Sequence, residues 1–157
     1  MWDALAAEFS DLPDAAQATR LVVRLLVAGL MGALIGYDRE RVASPAGLRT
    51  HILVALGAAL FVIVPVQAGF SADDISRVVQ GLVAGIGFLG AGAILKQEAT
   101  VRGLTTAASI WLTAAIGMAA GLGQLVTALV ATVFGLVVLN VHAKVGKHSP
   151  HDDDGRV

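Results

Sequence analysis

A charged stretch, Gly36-Tyr-Asp-Arg-Glu-Arg-Val-Ala-Ser-Pro-Ala-Gly-Leu-Arg-Thr-His51, lies between two long apolar runs of the sequence. It concentrates five charged side chains in a chain of 157 residues of which only 15% are charged and 56% are hydrophobic. Mean hydropathy is +0.76, which is typical of a polytopic helical membrane protein rather than of a soluble domain. The stretch is therefore predicted to link two membrane spans.

Uncharged runs predict five membrane spans, because a helix needs about 20 apolar residues to cross a bilayer core. Pro65 is expected to kink or stop the second span near its far end. The last uncharged run is long enough for two spans and is divided by the turn sequence Gly121-Leu-Gly-Gln124. The predicted spans are residues 21–37, 52–72, 78–95, 104–120 and 124–141, in a transmembrane domain of residues 18–141.

The distribution of Lys and Arg predicts the orientation of these spans. Eight of the 11 basic residues follow spans one, three and five, and cytoplasmic loops carry the excess of basic residues. The N-terminus is therefore predicted outside and the C-terminus inside. Residues 1–17, acidic and without Lys or Arg, are predicted to form a periplasmic leader at the membrane interface or a frayed end. Residues 142–157 are predicted to be a disordered cytoplasmic tail.

Two parts of the chain resemble each other. Residues 29–33 (Gly-Leu-Met-Gly-Ala) resemble residues 87–91 (Gly-Phe-Leu-Gly-Ala), and residues 47–50 (Gly-Leu-Arg-Thr) resemble residues 103–106 (Gly-Leu-Thr-Thr). The order is the same and both hairpins run from outside to inside and back. The predicted fold is thus all-α, with a parallel repeat of two helical hairpins plus a fifth helix. Chance similarity between Gly- and Ala-rich helices is the alternative.

Small residues four positions apart, such as Gly32 and Gly36, predict close approach of helix backbones. The third span carries a denser set, for which two interpretations are open. The set serves the same packing, or it leaves part of the span unwound so that backbone carbonyls could bind a cation. Its members are Gly85, Gly87, Gly90 and Gly92.

Polar residues at the cytoplasmic ends of the spans form the candidate functional site, and three interpretations compete. The favoured one pairs Asp38 and Glu40 with Arg49 and Arg102. The second is a Mg²⁺ site on Asp38 and Glu40, and the third is an anion site at the helix starts beside the two arginines. His51 could make any of these depend on pH, or simply form hydrogen bonds at the helix end. The cluster comprises Asp38, Arg39, Glu40, Arg49, Thr50, His51, Arg102, Thr105 and Thr106.

Several absences narrow the function. No Asp or Glu lies within any predicted span, which weakens an ion carrier or channel, since a divalent cation usually needs carboxylates along its path. The chain has no cysteine, so disulfides and thiolate metal sites are excluded. No nucleophile and base occur together in the spans, so an enzyme is not predicted, and neither is a nucleic-acid partner.

Four blocks in order resemble the signature of the MgtC/SapB family of bacterial inner-membrane proteins. They are Gly36-Tyr-Asp-Arg-Glu-Arg41, Ala46-Gly-Leu-Arg-Thr-His-Ile-Leu-Val-Ala-Leu-Gly-Ala-Ala-Leu60, Gly85-Ile-Gly-Phe-Leu-Gly-Ala-Gly92 and Val101-Arg-Gly-Leu-Thr-Thr-Ala-Ala-Ser-Ile-Trp-Leu-Thr-Ala-Ala-Ile-Gly117. The resemblance extends from about Leu21 to Val141. It implies five membrane helices, an inner-membrane location and a role in adaptation to low magnesium. Some relatives support virulence and restrain the F-type ATP synthase.

This chain departs from the longer relatives after the last span. They carry a soluble cytoplasmic domain there, whereas only residues 142–157 follow here. The predicted function is a non-enzymatic regulator that acts through membrane-protein contacts, with a transporter or channel for Mg²⁺ or another small ion as the alternative. Partners are expected to be the lipid bilayer, further copies of the chain and, by resemblance, a complex such as the F-type ATP synthase. Mg²⁺ is the only cofactor that these interpretations suggest.

Overall fold

The structure is a computed structural model that describes Trp2, residues 14–97 and residues 100–145, without the side chains of 95–100 and 141–145. The predicted all-α fold is confirmed. A two-stranded antiparallel hairpin joins the third and fourth helices, with Lys96 opposite Val101. The helices are α1 (Ala15–Arg41), α2 (Leu48–Gln67), α3 (Ala72–Gly92), α4 (Leu104–Gly121) and α5 (Leu125–Val145), and the strands are β1 (Leu95–Gln97) and β2 (Thr100–Arg102).

Helices α1 to α4 are each long and apolar enough to cross a membrane, and α5 contains the apolar stretch Leu125–Asn140. Helix α1 begins inside the segment predicted as a leader, and α5 continues past residue 141 into the predicted tail. Residues 3–13 of that leader and 146–157 of that tail lie outside the described part of the chain. The predicted orientation across the membrane stays a prediction.

Local capping explains where α2 ends and α3 begins. Pro65 lies in the last turn of α2, and Gly69 follows it with φ of 77°, a left-handed conformation that closes helices and favours glycine. The Ser71 hydroxyl then accepts from Asp74 N–H at 3.3 Å and donates to the Asp74 carboxylate at 2.6 Å. This reciprocal cap starts α3 at Ala72. Helix α2 thus ends before residue 72, where the predicted second span ends. Helix α3 starts before residue 78, where the predicted third span begins.

The core lies between α1, α2 and α4. A buried cluster joins Ala28 and Ile35 of α1 to Ala59 of α2, Ile116 of α4 and Ala128 of α5. Helix α3 is peripheral, since its buried residues are Ile86 and Gly90. Small side chains at these contacts bring the backbones close together, as expected where packing rather than hydrophobicity joins helices in lipid.

Gly32 and Gly36 serve the close packing predicted for them. A Cβ atom on Gly32 would lie 2.6 Å from the carbonyl oxygen of His51, and one on Gly36 would lie 2.7 Å from Leu48 Cα. These distances are too short for any side chain without moving α1 away from α2. The first hairpin is therefore held together by backbone contact.

The glycines of α3 behave differently. Helix α3 is continuous to Gly92, so the interpretation of an unwound span with free carbonyls is wrong. Gly85, Gly87 and Gly92 face open space, and a Cβ on Gly90 would lie at an ordinary 3.7 Å from Ala107 Cβ. Within the described residues, then, these glycines do not hold α3 tightly against the bundle.

The proposed repeat recurs in the residues that start two helices but not in the packing, and the two N-cap glycines differ in conformation, with φ of −103° at Gly47 and 89° at Gly103. Gly47 and Gly103 are the N-caps of α2 and α4, each without a side-chain capping hydrogen bond. Leu48 and Leu104 are the first residues of these helices. The α1/α2 hairpin is tight whereas α3 leaves most of its glycines uncovered.

Candidate functional site at the charged end of the bundle

The charged end is defined as the end of the bundle where α1 finishes and α2 starts. There the carboxylate of Glu40 caps α2, because Leu48 N–H donates to Glu40 Oε2 at 2.9 Å. The N-cap residue Gly47 has no side chain for this task, and a Cβ on it would lie 3.1 Å from Glu40 Oε2. An anion at this position satisfies a free N–H group and interacts favourably with the helix dipole.

The neighbouring acid, Asp38, forms a largely buried ion pair with Arg39. Arg39 Nε donates to Asp38 Oδ2 at 3.0 Å, and the Arg39 Nη2 group donates to the same oxygen. The second oxygen, Asp38 Oδ1, accepts from Asn140 Nδ2 of α5 at 3.1 Å. The side chains of Arg39 and Asp38 are only 8% and 16% exposed. This triad joins the end of α1 to α5.

The prediction that Asp38 and Glu40 pair with Arg49 and Arg102 is therefore wrong. Both arginines are exposed at the starts of α2 and α4, and neither forms a salt bridge within the described residues. Thr50 and Thr105, beside them, are exposed as well. Anion binding at these helix starts stays a prediction.

His51 lies in the first turn of α2 and is completely buried. Its Nδ1 atom is 2.8 Å from the carbonyl oxygen of Gly47, and its Nε2 atom is 3.0 Å from Ser109 Oγ of α4. Ser109 Oγ also lies 2.8 Å from the carbonyl oxygen of Thr106. The expectation of a hydrogen-bonding histidine at a helix end is confirmed, and the bond reaches across to α4.

The atoms around His51 permit two proton arrangements. Because the Gly47 carbonyl only accepts, Nδ1 must carry a proton. In a neutral ring, Nε2 then accepts from the Ser109 hydroxyl. If the ring is doubly protonated, Nε2 donates to Ser109 Oγ, and the Ser109 hydroxyl turns to donate to the Thr106 carbonyl. A change of ring charge would thus be coupled to one hydroxyl rotation between α2 and α4.

A second contact holds the link between α1 and α2 against α4. Ser44 Oγ and Thr106 Oγ1 lie 3.0 Å apart as hydrogen-bonding partners, and Thr106 is only 6% exposed. Ala46, also in the link, is buried. Ala43 has φ of 52°, a left-handed conformation that costs about 1 kcal/mol or more for a residue other than glycine. The link is consequently fixed by its neighbours and is not a loose connection.

Three residues of this site were not placed in it by the sequence: Ser44, Ser109 and Asn140. Ser109 and Asn140 are polar residues inside apolar helices. Their polarity alone indicates a hydrogen bond to another helix, because polar residues in such helices usually form one. Nothing in their spacing indicates which helix that is. Gly85, Gly87, Gly90 and Gly92 of α3 do not take part in the hydrogen bonds of this site.

The residues present do not fit a magnesium ion. Mg²⁺ requires several oxygen ligands in octahedral geometry, yet Asp38 is bound to Arg39 and Asn140 whereas Glu40 is bound to Leu48 N–H. Among the described residues, no three His, Asp or Glu side chains are grouped so that they could hold a metal. The arrangement is instead suited to fixing α1, α2, α4 and α5 relative to one another.

The model of the MgtC family matches residues 25–148 of this sequence, a range that contains the whole charged end. The chain belongs to the MgtC family. The predicted resemblance is confirmed, and the chain is a membrane protein of this family. All nine residues of the predicted cytoplasmic cluster lie within the matched range.

Three relatives illustrate the similarity. Protein SrpB of Synechococcus elongatus is 50% identical over 133 residues, which cover 76% of this chain and 73% of SrpB. Protein MgtC of Salmonella typhimurium is 48% identical over 71% of this chain and 48% of its own length. YhiD of Escherichia coli K12 is 44% identical over 76% of this chain and 59% of its length. The chain thus spans about half of MgtC. No solved structure matches.

The cap on α2 leads to a first prediction for this MgtC family member. Replacing Glu40 by alanine is expected to lower the free energy of unfolding by about 1 kcal/mol, since Leu48 N–H loses its acceptor. Glu40→Gln retains an acceptor oxygen and is expected to lose less than half of that. Reversible unfolding in mixed micelles measures both variants. Equal losses for Gln and Ala would show that the hydrogen bond is not what stabilises the helix start.

Proposed function

We propose that this chain is a non-enzymatic regulator of the bacterial inner membrane that acts in adaptation to low magnesium through contacts with other membrane proteins. One observation carries the proposal. Among the described residues, every buried side-chain nitrogen or oxygen atom has a hydrogen-bond partner inside the chain. A transport path usually presents polar groups that are available to the passing ion.

The middle of the bundle supports this proposal. Thr113 donates to the Ser109 carbonyl at 2.8 Å, and Thr132 donates to the Ala128 carbonyl at 2.7 Å. Both hydroxyls are thus used by their own helices. The remaining core is built from Ala, Ile, Met and Val side chains, and these offer a desolvated cation no ligand.

Helix α3 supplies a surface for contacts with other membrane proteins. No described residue comes within 4 Å of where a Cβ on Gly81, Gly85 or Gly92 would lie, and Phe88 is 81% exposed. Small residues four apart allow a second helix to approach closely. The proposed partners of this face are another copy of the chain or a second inner-membrane complex. The family resemblance suggests the F-type ATP synthase and a role in virulence.

A transporter or channel for Mg²⁺ or another small ion is the second candidate. The name given to Escherichia coli YhiD proposes a magnesium transporter. In this chain the acids Asp38 and Glu40 lie at the charged end, where an ion would enter or leave. Asp38 is 16% exposed, so an ion could reach it only after the triad with Arg39 and Asn140 opens.

The two candidates predict opposite results in liposomes loaded with a Mg²⁺-sensitive dye. The regulator is expected to give the same influx as empty liposomes. Uptake that depends on protein and is abolished by Asp38→Asn or Glu40→Gln would overturn it. Because Asp38→Asn is expected to destabilise the chain, only reconstituted protein of unchanged helix content is compared.

Contacts through α3 are tested by crosslinking in the same membranes. The chain has no cysteine, so each single-cysteine variant reports one position. Gly85→Cys on α3 is expected to crosslink to a second copy or to another membrane protein. Gly57→Cys, on α2 and equally open, is the matched control. Absence of influx together with crosslinks specific to Gly85→Cys supports the regulator, whereas equal yields at both positions would contradict a role for α3.

A further inference from the structure

The end of the bundle opposite the charged end contains a cleft that the proposed function does not use. It has a volume of about 260 Å³ and lies between the start of α1 and the end of α2. Three of its polar residues follow one another along α1, Gln17, Arg20 and Arg24, and Gln67 of α2 completes the polar wall. Leu21, Ile63 and Val66 form an apolar wall beside them.

Arg24 is fixed in place by α4. Its Nη1 group donates to the Gly121 carbonyl at 3.0 Å, at the end of the helix where free carbonyls and the helix dipole favour a cation. Gly123, with φ of 83°, makes room for it, since a Cβ there would lie 2.7 Å from Arg24 Nη2. A guanidinium has five N–H donors, and the described residues give only this one an acceptor.

Arg20 lies one turn before Arg24 on α1 and forms no ion pair or hydrogen bond within the described residues. No carboxylate lines the described cleft. Two guanidinium groups one turn apart repel each other, and an anion between them would remove that repulsion. The rule that places basic residues in cytoplasmic loops does not account for these two, because they lie on the side predicted to be outside.

We infer that this cleft binds a phosphate-bearing anion. Guanidinium groups match phosphate oxygens with paired N–H donors, and the amides of Gln17 and Gln67 can donate to the same group. The cleft lies where the first predicted span begins, which is the depth of lipid headgroups. Its apolar wall suits the glycerol and upper acyl chain of a phospholipid. Both arginines precede residue 25, where the family match starts.

Binding is measured by native mass spectrometry of the full chain in detergent, with phosphatidylglycerol and diacylglycerol as probes that differ by the phosphate headgroup. Phosphatidylglycerol is expected to bind in preference to diacylglycerol, and Arg20→Gln is expected to weaken this binding about tenfold. Arg77→Gln is the matched control, because Arg77 is an exposed arginine at the same end that pairs with Asp74 at 3.4 Å. Arg24 is left intact, since it also holds α4.

A second arm distinguishes the sources of the phosphate group. Inorganic phosphate is compared with chloride at equal ionic strength for its effect on the melting temperature. Stabilisation by phosphate that Arg20→Gln abolishes, without a preference for phosphatidylglycerol, identifies a free-phosphate site. Preference for phosphatidylglycerol without that stabilisation identifies a lipid site. Equal losses for Arg20→Gln and Arg77→Gln, or no loss with Arg20→Gln in either arm, would overturn the inference.

Discussion

Gly117→Ala is expected to lower the free energy of unfolding by about 2–3 kcal/mol, as strong overpacking of a close contact does. A Cβ on Gly117 would lie 2.3 Å from the carbonyl oxygen of Ala55 and 2.9 Å from its Cα. The obstacle is backbone, so no side-chain rotation can relieve it, and α4 must move away from α2. That movement would also stretch the His51 to Ser109 hydrogen bond, which joins the same two helices.

Gly57→Ala is the matched control for Gly117→Ala. Gly57 lies in α2, and in the described part of the chain no atom comes within 4 Å of the position of its Cβ. The same change there is expected to leave the stability unaltered or to raise it by up to about 1 kcal/mol, because alanine is the better helix former. Unfolding in mixed micelles, followed by circular dichroism, measures both. A loss at Gly117 no larger than that at Gly57 would contradict the packing shown for α2 and α4.

The glycine contacts show how far the sequence could predict the fold. Composition and uncharged runs predict the five helices, because bilayer thickness sets their length. The spacing of Gly32 and Gly36 correctly predicts close packing, yet Gly81 and Gly85 have the same spacing and no neighbour among the described residues. The spacing determines only that two glycines lie on the same face of a helix. Whether another helix covers that face depends on how the whole bundle assembles.

The charged end shows the same limit for polar side chains. The sequence correctly places Asp38, Glu40 and His51 together at one end of the bundle, but it assigns the wrong partners to the two acids. Asp38 is bound by its neighbour Arg39, and Glu40 is bound by a backbone N–H group. A backbone donor has no signature in the sequence. The partner in α5, Asn140, belongs to the fifth helix, which the predicted repeat of two hairpins does not include.

Removal of the Asp38 carboxylate is the second change for which we expect a large effect. Asp38→Ala leaves Arg39 without its counter-charge while its side chain is only 8% exposed. Breaking a buried ion pair by removing one partner typically costs about 3–5 kcal/mol, and the partial exposure of Asp38 places this site near 3 kcal/mol. Loss of the hydrogen bond from Asn140 is expected to add little to this cost, since Asn140 Nδ2 also donates to the Leu136 carbonyl at 2.8 Å.

A double-mutant cycle separates the ion pair from general damage at the charged end. If the uncompensated charge is the cause, Asp38→Ala combined with Arg39→Met should be more stable than Asp38→Ala alone, because replacing a whole buried pair by apolar groups is often nearly neutral. Arg77→Ala, which breaks an exposed pair with Asp74, is the control and should cost at most about 1 kcal/mol. If the loss in the double variant equals the sum of the losses in Asp38→Ala and in Arg39→Met, Arg39 does not depend on Asp38. The triad would then be a consequence of the fold of α1 and α5 rather than a cause of their contact.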